Sequence, residues 1–399
     1  MTISLAMALA LPAYGLQAYN QPLIPPAALP LGGYTERGDR LCEPGGQPLA
    51  SHTLILSQGG KQVALVALEG LTVPESLYRE VRRRAEMPVF LVATHTHCAP
   101  DTQMLNERMT LRIPGIAPFK REWLDWYSLK IAGGIAIAGQ QAKLESELRF
   151  GQAKAGLARP RRQGTTVTNL LTVIQDDQGS AKLIVFGAHA TCHGPDTVVA
   201  DGDWPGRLMN MTGGLVFPGA IGNASPNIDG PDGDAKAGDF ARLLSQIPTP
   251  DRTRLDGLGY WEEPIRLDPV KPHPDFAKDY KINDALAQIA VSKFAPQQAN
   301  LSAVVLGELI LLGVPGEPSG DLELQIQAAA KSRGYACAVV SHCNGWIGYI
   351  LTPGDYDRGG YEATLSFHGR ETGQRLFEAS ERLFARLPNR AKAGTASRR

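Results

Sequence analysis

The sequence predicts an α/β fold, with α+β as its neighbour: mixed β-sheets flanked by helices in a single large domain. Three observations lead there. Short apolar runs turn back on themselves as hairpins, helical patterns lie between them, and no internal repeat or sharp linker divides the 399 residues.

Taken in order, Leu54-Ile55-Leu56 and Val63 to Leu68 flank Gln58-Gly59-Gly60-Lys61, a hairpin signal. Pro74 opens a helix through Arg84, since proline fits the first helical turn. The uninterrupted run Val89-Phe90-Leu91-Val92-Ala93 reads as a buried strand. Trp123, Trp126, Tyr127, Lys130 and Ile131 share one face of a helix from Lys120 to Lys143. A second hairpin joins Leu170–Ile174 to Leu183–Ala188 through Asp176-Asp177-Gln178-Gly179. Gly/Pro-rich loops are expected to dominate residues 194–233. Helices follow at Ala235–Ile247, Asn283–Phe294, Ser319–Arg333 and Thr372–Leu387, with strands near Ala303–Val314 and Ala336–Ser341.

Forty basic and forty acidic side chains leave no net charge, so nothing favours a nucleic acid or an anionic membrane as partner. No window of about 18 apolar residues predicts a transmembrane helix. Met1 to Tyr34 carries no Asp, Glu, Lys or Arg, and Ile3–Leu11 resembles a signal core without its basic leader. The five cysteines are odd in number and lack CxxC spacing. Isolated thiols lean towards a reducing compartment, which places the cytoplasm ahead of export.

Chemistry-bearing residues collect just past strand ends. Thr94-His95-Thr96-His97-Cys98 follows the Val89 strand, and His189-Ala190-Thr191-Cys192-His193 follows Leu183–Phe186. Half of the eight histidines lie in these two segments, and imidazoles in such places serve as metal ligands or proton carriers. Leu309–Val314 runs into Pro315-Gly316-Glu317, and Cys343-Asn344-Gly345-Trp346-Ile347-Gly348-Tyr349 follows another strand. Each of these residues also has a plainer reading. Glu317 could answer a helix dipole, Tyr349 could be a packed aromatic, and His193 a structural histidine.

In order along the chain, Pro25 to Tyr34, the Thr94–His97 segment, His189-Ala190-Thr191 with Gly202-Asp203-Trp204-Pro205-Gly206, Gly222 to Asn227, Gly316-Glu317, and Gly348 to Pro353 with Tyr361-Glu362 resemble the catalytic domain of the neutral/alkaline, non-lysosomal ceramidases. These are zinc-dependent amidases. The resemblance spans about Gln17 to Leu387, and it implies a signal-like or disordered segment at 1–15, a catalytic domain at 16–388 and a disordered basic tail at 389–399, without the family's C-terminal immunoglobulin-like domain.

Residue by residue, the resemblance implies that His95, His189, Glu317 and Tyr349 hold one Zn²⁺ per chain. His97 would face the substrate carbonyl, Arg161 would help hold the developing oxyanion, and Ser225 would stand in the loop beside the ion. The implied activity is hydrolysis of an N-acyl amide, with a small N-acyl molecule, lipids included, as substrate. Departures occur at the site wall: Cys98-Ala99 replace Ser-Gly, Cys192 and His193 adjoin the His-Ala-Thr segment, and Asn223 replaces Asp. Ceramide is therefore a less secure expectation than metal-dependent hydrolysis, and a soluble or short-chain N-acyl compound is expected to be the better substrate. Two alternatives stay open: a cysteine-nucleophile hydrolase using Cys98 or Cys192, and a non-catalytic metal-binding protein on the same scaffold. Gly222 to Pro226 is not GxSxG, which disfavours a serine elbow.

Overall fold

The computed structural model describes residues 13–110, 112–113, 115–250 and 252–391. Residues 1–12 of the signal-like segment and 392–399 of the basic tail lie outside the described residues.

The first sheet has strand order β4-β3-β2-β1-β5, from β1 (Tyr14–Pro22), β2 (Ala50–Gln58), β3 (Lys61–Leu68), β4 (Val89–Ala93) and β5 (Leu144–Ser146). The β2–β3 hairpin turns at Gly59-Gly60, whose φ values of 56° and 76° a side chain would resist. After β3, helix α1 (Glu75–Arg84) carries the chain over to β4, which pairs parallel to β3. Helix α2 (Arg121–Gln140) lies beside α1 on the same face. The faces alternate with the pleat. Ala64, Val66 and Leu68 meet the helices, while Val63, Leu65 and Ala67 enter the central core. Strand β1 was not expected from the sequence. It lies between β2 and β5, with Tyr14 and Leu16 buried but polar residues through its second half, so no clean apolar run marks it.

The next stretch supplies β6 (Leu148–Lys154), β7 (Ala158–Pro160), β8 (Leu170–Asp176), β9 (Ala181–Phe186), β10 (Leu215–Pro218), β11 (Ala224–Pro226) and β12 (Thr253–Arg254), with helices α3 (Asp203–Thr212) and α4 (Asp234–Ser245). Five of these strands form a sheet ordered β10-β9-β8-β6-β12, and β7 pairs separately with β11. The expected loop region 194–233 thus holds a helix and two strands. Glycine and proline obscured them, because here they act as turns and close contacts between short elements, as at Gly213, which ends α3 in the left-handed conformation.

The last part contains β13 (Leu258–Ile265), α5 (Pro274–Asp279), α6 (Asp284–Phe294), β14 (Ala299–Leu306), β15 (Leu309–Gly313), β16 (Glu317–Pro318), α7 (Gly320–Ser332), β17 (Ala336–Val340), β18 (Tyr349–Ile350), α8 (Pro353–Asp357), α9 (Tyr361–Thr364) and α10 (Thr372–Arg386). The single strand expected near 303–314 is a hairpin, β14–β15, turning at Gly307 with φ 57°. The sheet β13-β14-β15-β17 is covered on one face by α7 and α10, and β16 pairs parallel with β18.

The main core lies between the three large sheets, with Phe90, Phe186, Phe217, Leu311 and Val340 buried in it. Each sheet has one parallel pair: β3 with β4, β9 with β10, β15 with β17. The carboxyl ends of β4, β9, β15 and β17 lead into one region, and the candidate site is built there. The fold is α/β with mixed sheets, as the sequence predicts.

Candidate metal centre

Past the end of β4 the chain bends sharply. His95 takes φ 64°, a left-handed conformation that costs a β-carbon residue about 1–2 kcal/mol and is held here by its N–H bond to Gly70 O. Its Nδ1 donates to Leu71 O at 2.7 Å, which fixes the tautomer and leaves the Nε2 lone pair facing inwards. His189, just beyond β9, is oriented in the same way: its Nδ1 donates to Ala224 O at 2.9 Å, and its own backbone is held through Trp204 Nε1.

Glu317 and Tyr349 come from distant parts of the chain, and the parallel pairing of β16 with β18 sets them side by side in register. Glu317 Oε2 lies 3.2 Å from His189 Nε2 and 3.8 Å from His95 Nε2. Tyr349 Oη lies 3.4 Å from His189 Nε2. All four side chains are buried, and Glu317, 2 % exposed, keeps Oε2 without a hydrogen-bond donor. A buried carboxylate oxygen with no donor, ringed by imidazole lone pairs, is costly unless a cation completes it.

The charge states suit that role. Burial holds His95 below the ordinary histidine range and His189 down to about 3, so both are neutral donors at physiological pH. Glu317, facing these rings, is held well below the usual carboxylate range against the opposing effect of burial. Burial also raises the Tyr349 phenol, against the pull of Arg161.

His97 and Arg161 flank this group. His97 Nε2 lies 3.3 Å from His95 Nε2, Tyr34 packs edge-on against the ring at 4.8 Å, and Nδ1 has no partner. Gly33, at φ 90°, passes so close that a β-carbon there would stand 2.5 Å from the His97 ring. Just past β7, Arg161 is held by its N–H bond to Asn223 O, and its guanidinium reaches the centre. Arg161 NH1 donates to Tyr349 Oη at 3.3 Å and Nε donates to Ser225 Oγ at 3.1 Å, so Ser225 acts as a rest for the guanidinium. Arg162 instead pairs with Glu362 at 2.9 Å. A cleft of ≈ 410 Å³ opens beside this strand pair, lined among others by Arg162, Asn223, Leu351, Arg358 and Glu362.

The cysteines stand apart. Cys98 Sγ receives an Arg37 N–H, and burial pushes its thiol up to about 12; burial and Asp203 raise Cys192 further. Neither is a thiolate at neutral pH, which removes the activation a cysteine nucleophile needs. His193 is held between Asp203 and Asp234, and Asp203 accepts the backbone N–H groups of Cys192, His193 and Trp204, ordering the loop.

The sequence reading missed two members of the group. Trp346 Nε1 donates to Glu317 Oε1 at 3.1 Å. His342 stacks on His95 with centroids 4.2 Å apart. The available signal for His342 was its place just past an apolar strand, the same pattern that marks His95 and His189.

No family model and no curated protein matches this sequence. Solved structures do match. The neutral ceramidase from Pseudomonas aeruginosa superimposes with a TM-score of 0.78, at 16% identity, covering 95% of this chain and 75% of that one. This chain has the fold of neutral ceramidase. A ceramidase complexed with C2 gives a TM-score of 0.77 at 16% identity, covering 95% of this chain and 76% of that one. Within this fold, His95, His97, Arg161, His189, Ser225, Glu317 and Tyr349 form one contiguous group. Among the described residues, no helix is long and apolar enough to cross a membrane.

Proposed function

We propose that this protein is a zinc-dependent amidase that cleaves an N-acyl bond, with His95, His189, Glu317 and Tyr349 as the ion's ligands. The convergence of two inward-facing Nε2 atoms on the donorless Oε2 of Glu317, with the Tyr349 phenol beside His189 Nε2, carries this reading. Donors about 2.0–2.2 Å from a tetrahedral ion stand roughly 3.3 Å apart, and the separations here are 3.2, 3.4 and 3.8 Å. The nitrogen and oxygen donor set suits zinc better than magnesium or calcium, which prefer oxygen alone.

When bound, zinc lowers the pKa of a coordinated water to about 7 and polarises a carbonyl. The protein supplies the remainder. Arg161, held on Ser225, presents fixed positive charge to an oxygen that gains charge as the amide is attacked. His97 is neutral because burial, with His95 and His189 nearby, lowers it well below the usual histidine range. A neutral imidazole holds one N–H and one lone pair, so His97 can donate to the carbonyl oxygen and relay a proton to the departing amine. The walls beside both histidine segments, with Cys98-Ala99 after one and Cys192-His193 after the other, depart from the ceramidase pattern, which supports a soluble or short-chain N-acyl amine over long-chain ceramide.

The test combines metal analysis with turnover. About one zinc per chain is expected, with hydrolysis lost on chelation and restored by zinc. Full activity in zinc-free protein would overturn the proposal. On substrate, kcat/KM for a short-chain N-acyl amine should exceed that for long-chain ceramide at every detergent level, and the reverse order would reject the short-chain assignment.

A further inference from the structure

We propose that Arg37 is the positioning residue for His97, clamping the backbone around that imidazole so that its ring stays aimed at the substrate carbonyl; this rests on the role given to His97 above. Arg37 ends the short turn Thr35–Arg37 and is only 5 % exposed. Its guanidinium uses all five of its N–H groups. NH1 donates to Gly32 O and His97 O, Nε to Pro195 O at 3.1 Å, and NH2 to Gly194 O at 3.1 Å and Cys98 Sγ at 3.7 Å. A buried guanidinium is costly unless its donors are satisfied, and here the acceptors are backbone carbonyls and a thiol from three separate segments. One side chain thus ties the turn at Gly32, the loop after β4 and the loop after β9 to one another.

His97 needs such a clamp because its ring lacks the anchor that the neighbouring imidazoles have. His95 and His189 are each fixed by an Nδ1 bond to a backbone carbonyl, whereas His97 Nδ1 has no partner. Bonding that nitrogen to the backbone would occupy an atom that a group donating to substrate and relaying a proton has to keep available. Orientation comes from packing instead. Tyr34 lies edge-on to the His97 ring, the Arg37 guanidinium lies over the Tyr34 ring 4.8 Å from its centroid, and Tyr34 Oη donates to His193 O at 3.0 Å. Arg37 therefore acts on His97 twice, through the His97 carbonyl and through the ring of Tyr34. A lysine offers three donors from a single point and cannot reproduce the planar fork that spans these loops.

The test is a double-mutant cycle on amide hydrolysis, with zinc content and thermal melting measured for each variant. Arg37→Lys keeps the charge and removes the fork. It should retain zinc and KM and lose about 10- to 100-fold in kcat, since a shift of about 1 Å in a catalytic group costs up to roughly 100-fold. Against the residual turnover of His97→Ala, which keeps the zinc ligands and Arg161, the same substitution should cost about 2-fold at most, because no ring is left to misplace. Equal losses in both backgrounds would show that Arg37 supports the structure at large and would overturn the proposal, as would unchanged kcat in zinc-replete Arg37→Lys. Normal kcat in His97→Ala alone would instead reject the role of His97 itself, and the clamp with it. Should Arg37→Lys not fold, Tyr34→Leu leaves the five Arg37 bonds in place and repeats the cycle: its loss in kcat must likewise vanish without His97, and a full loss there would overturn the proposal.

Discussion

Gly33→Ala tests whether the placement of His97, rather than its presence, controls turnover. A methyl at Gly33 would stand 2.5 Å from His97 Cγ and Nδ1. That is about 1 Å inside favourable carbon contact, so the ring must shift by roughly that amount. It cannot shift freely, because His95 Nε2 lies 3.3 Å beyond its Nε2 and Tyr34 packs against it. The backbone at φ 90° adds about 1–3 kcal/mol of strain, a cost that a protein with about 5–15 kcal/mol of stability survives. A displacement of about 1 Å in a catalytic group can cost roughly 100-fold in rate. The expected variant is folded, zinc-replete and about 100-fold lower in kcat, read by amide hydrolysis together with metal analysis and thermal melting. Gly213→Ala is the control: φ is 71°, but nothing lies within 4 Å of the added carbon, so it should melt lower yet turn over normally. Unchanged kcat in a folded Gly33→Ala protein would refute the role given to His97.

His189→Ala should lose zinc and hydrolysis together while remaining folded, since Trp204 binds the residue's backbone rather than its ring; retained stoichiometric zinc with normal turnover would remove it from the centre. Arg161→Met should keep zinc and lower kcat by about 100- to 1000-fold with KM little changed, as expected for charge that acts on the transition state. Glu323, buried beneath Thr168 and Gln327, has its carboxyl raised from 4.5 to about 7 by burial, so the folded state holds that proton more tightly than the unfolded chain. Its ionisation therefore costs stability as pH rises from about 4.5 to 7, and Glu323→Gln should be more stable than wild type by up to about 3 kcal/mol at pH 8 and nearly equal at pH 4.5, checked by denaturant unfolding.

Local pattern alone marked the strands that end at His95 and His189, because a buried strand is a continuous apolar run and an imidazole directly after it is conspicuous. The β2–β3 and β8–β9 hairpins and helices α1, α2, α6, α7 and α10 were legible for the same reason: strand and helix periodicities are properties of neighbouring residues. Residue order along motifs also pointed to the ceramidase fold. Strand β1, α3 and β10 escaped, since short elements rich in polar residues, glycine or proline carry little periodic signal.

What the site does depends on long-range pairing that no local window contains. Glu317 meets Tyr349 only because β16 and β18 pair in register, and Arg161 reaches Tyr349 because the chain just past β7 stays bonded to the Asn223 backbone. His342 looked like the end of one more strand until the β17 loop was laid along β4, where the bridge between Val92 and Cys343 brings its ring onto His95. Sequence determined which groups could bind a metal. The meeting of four strand ends decided which of them face the same point, because donor convergence is a distance between residues up to 254 positions apart, as in His95 and Tyr349.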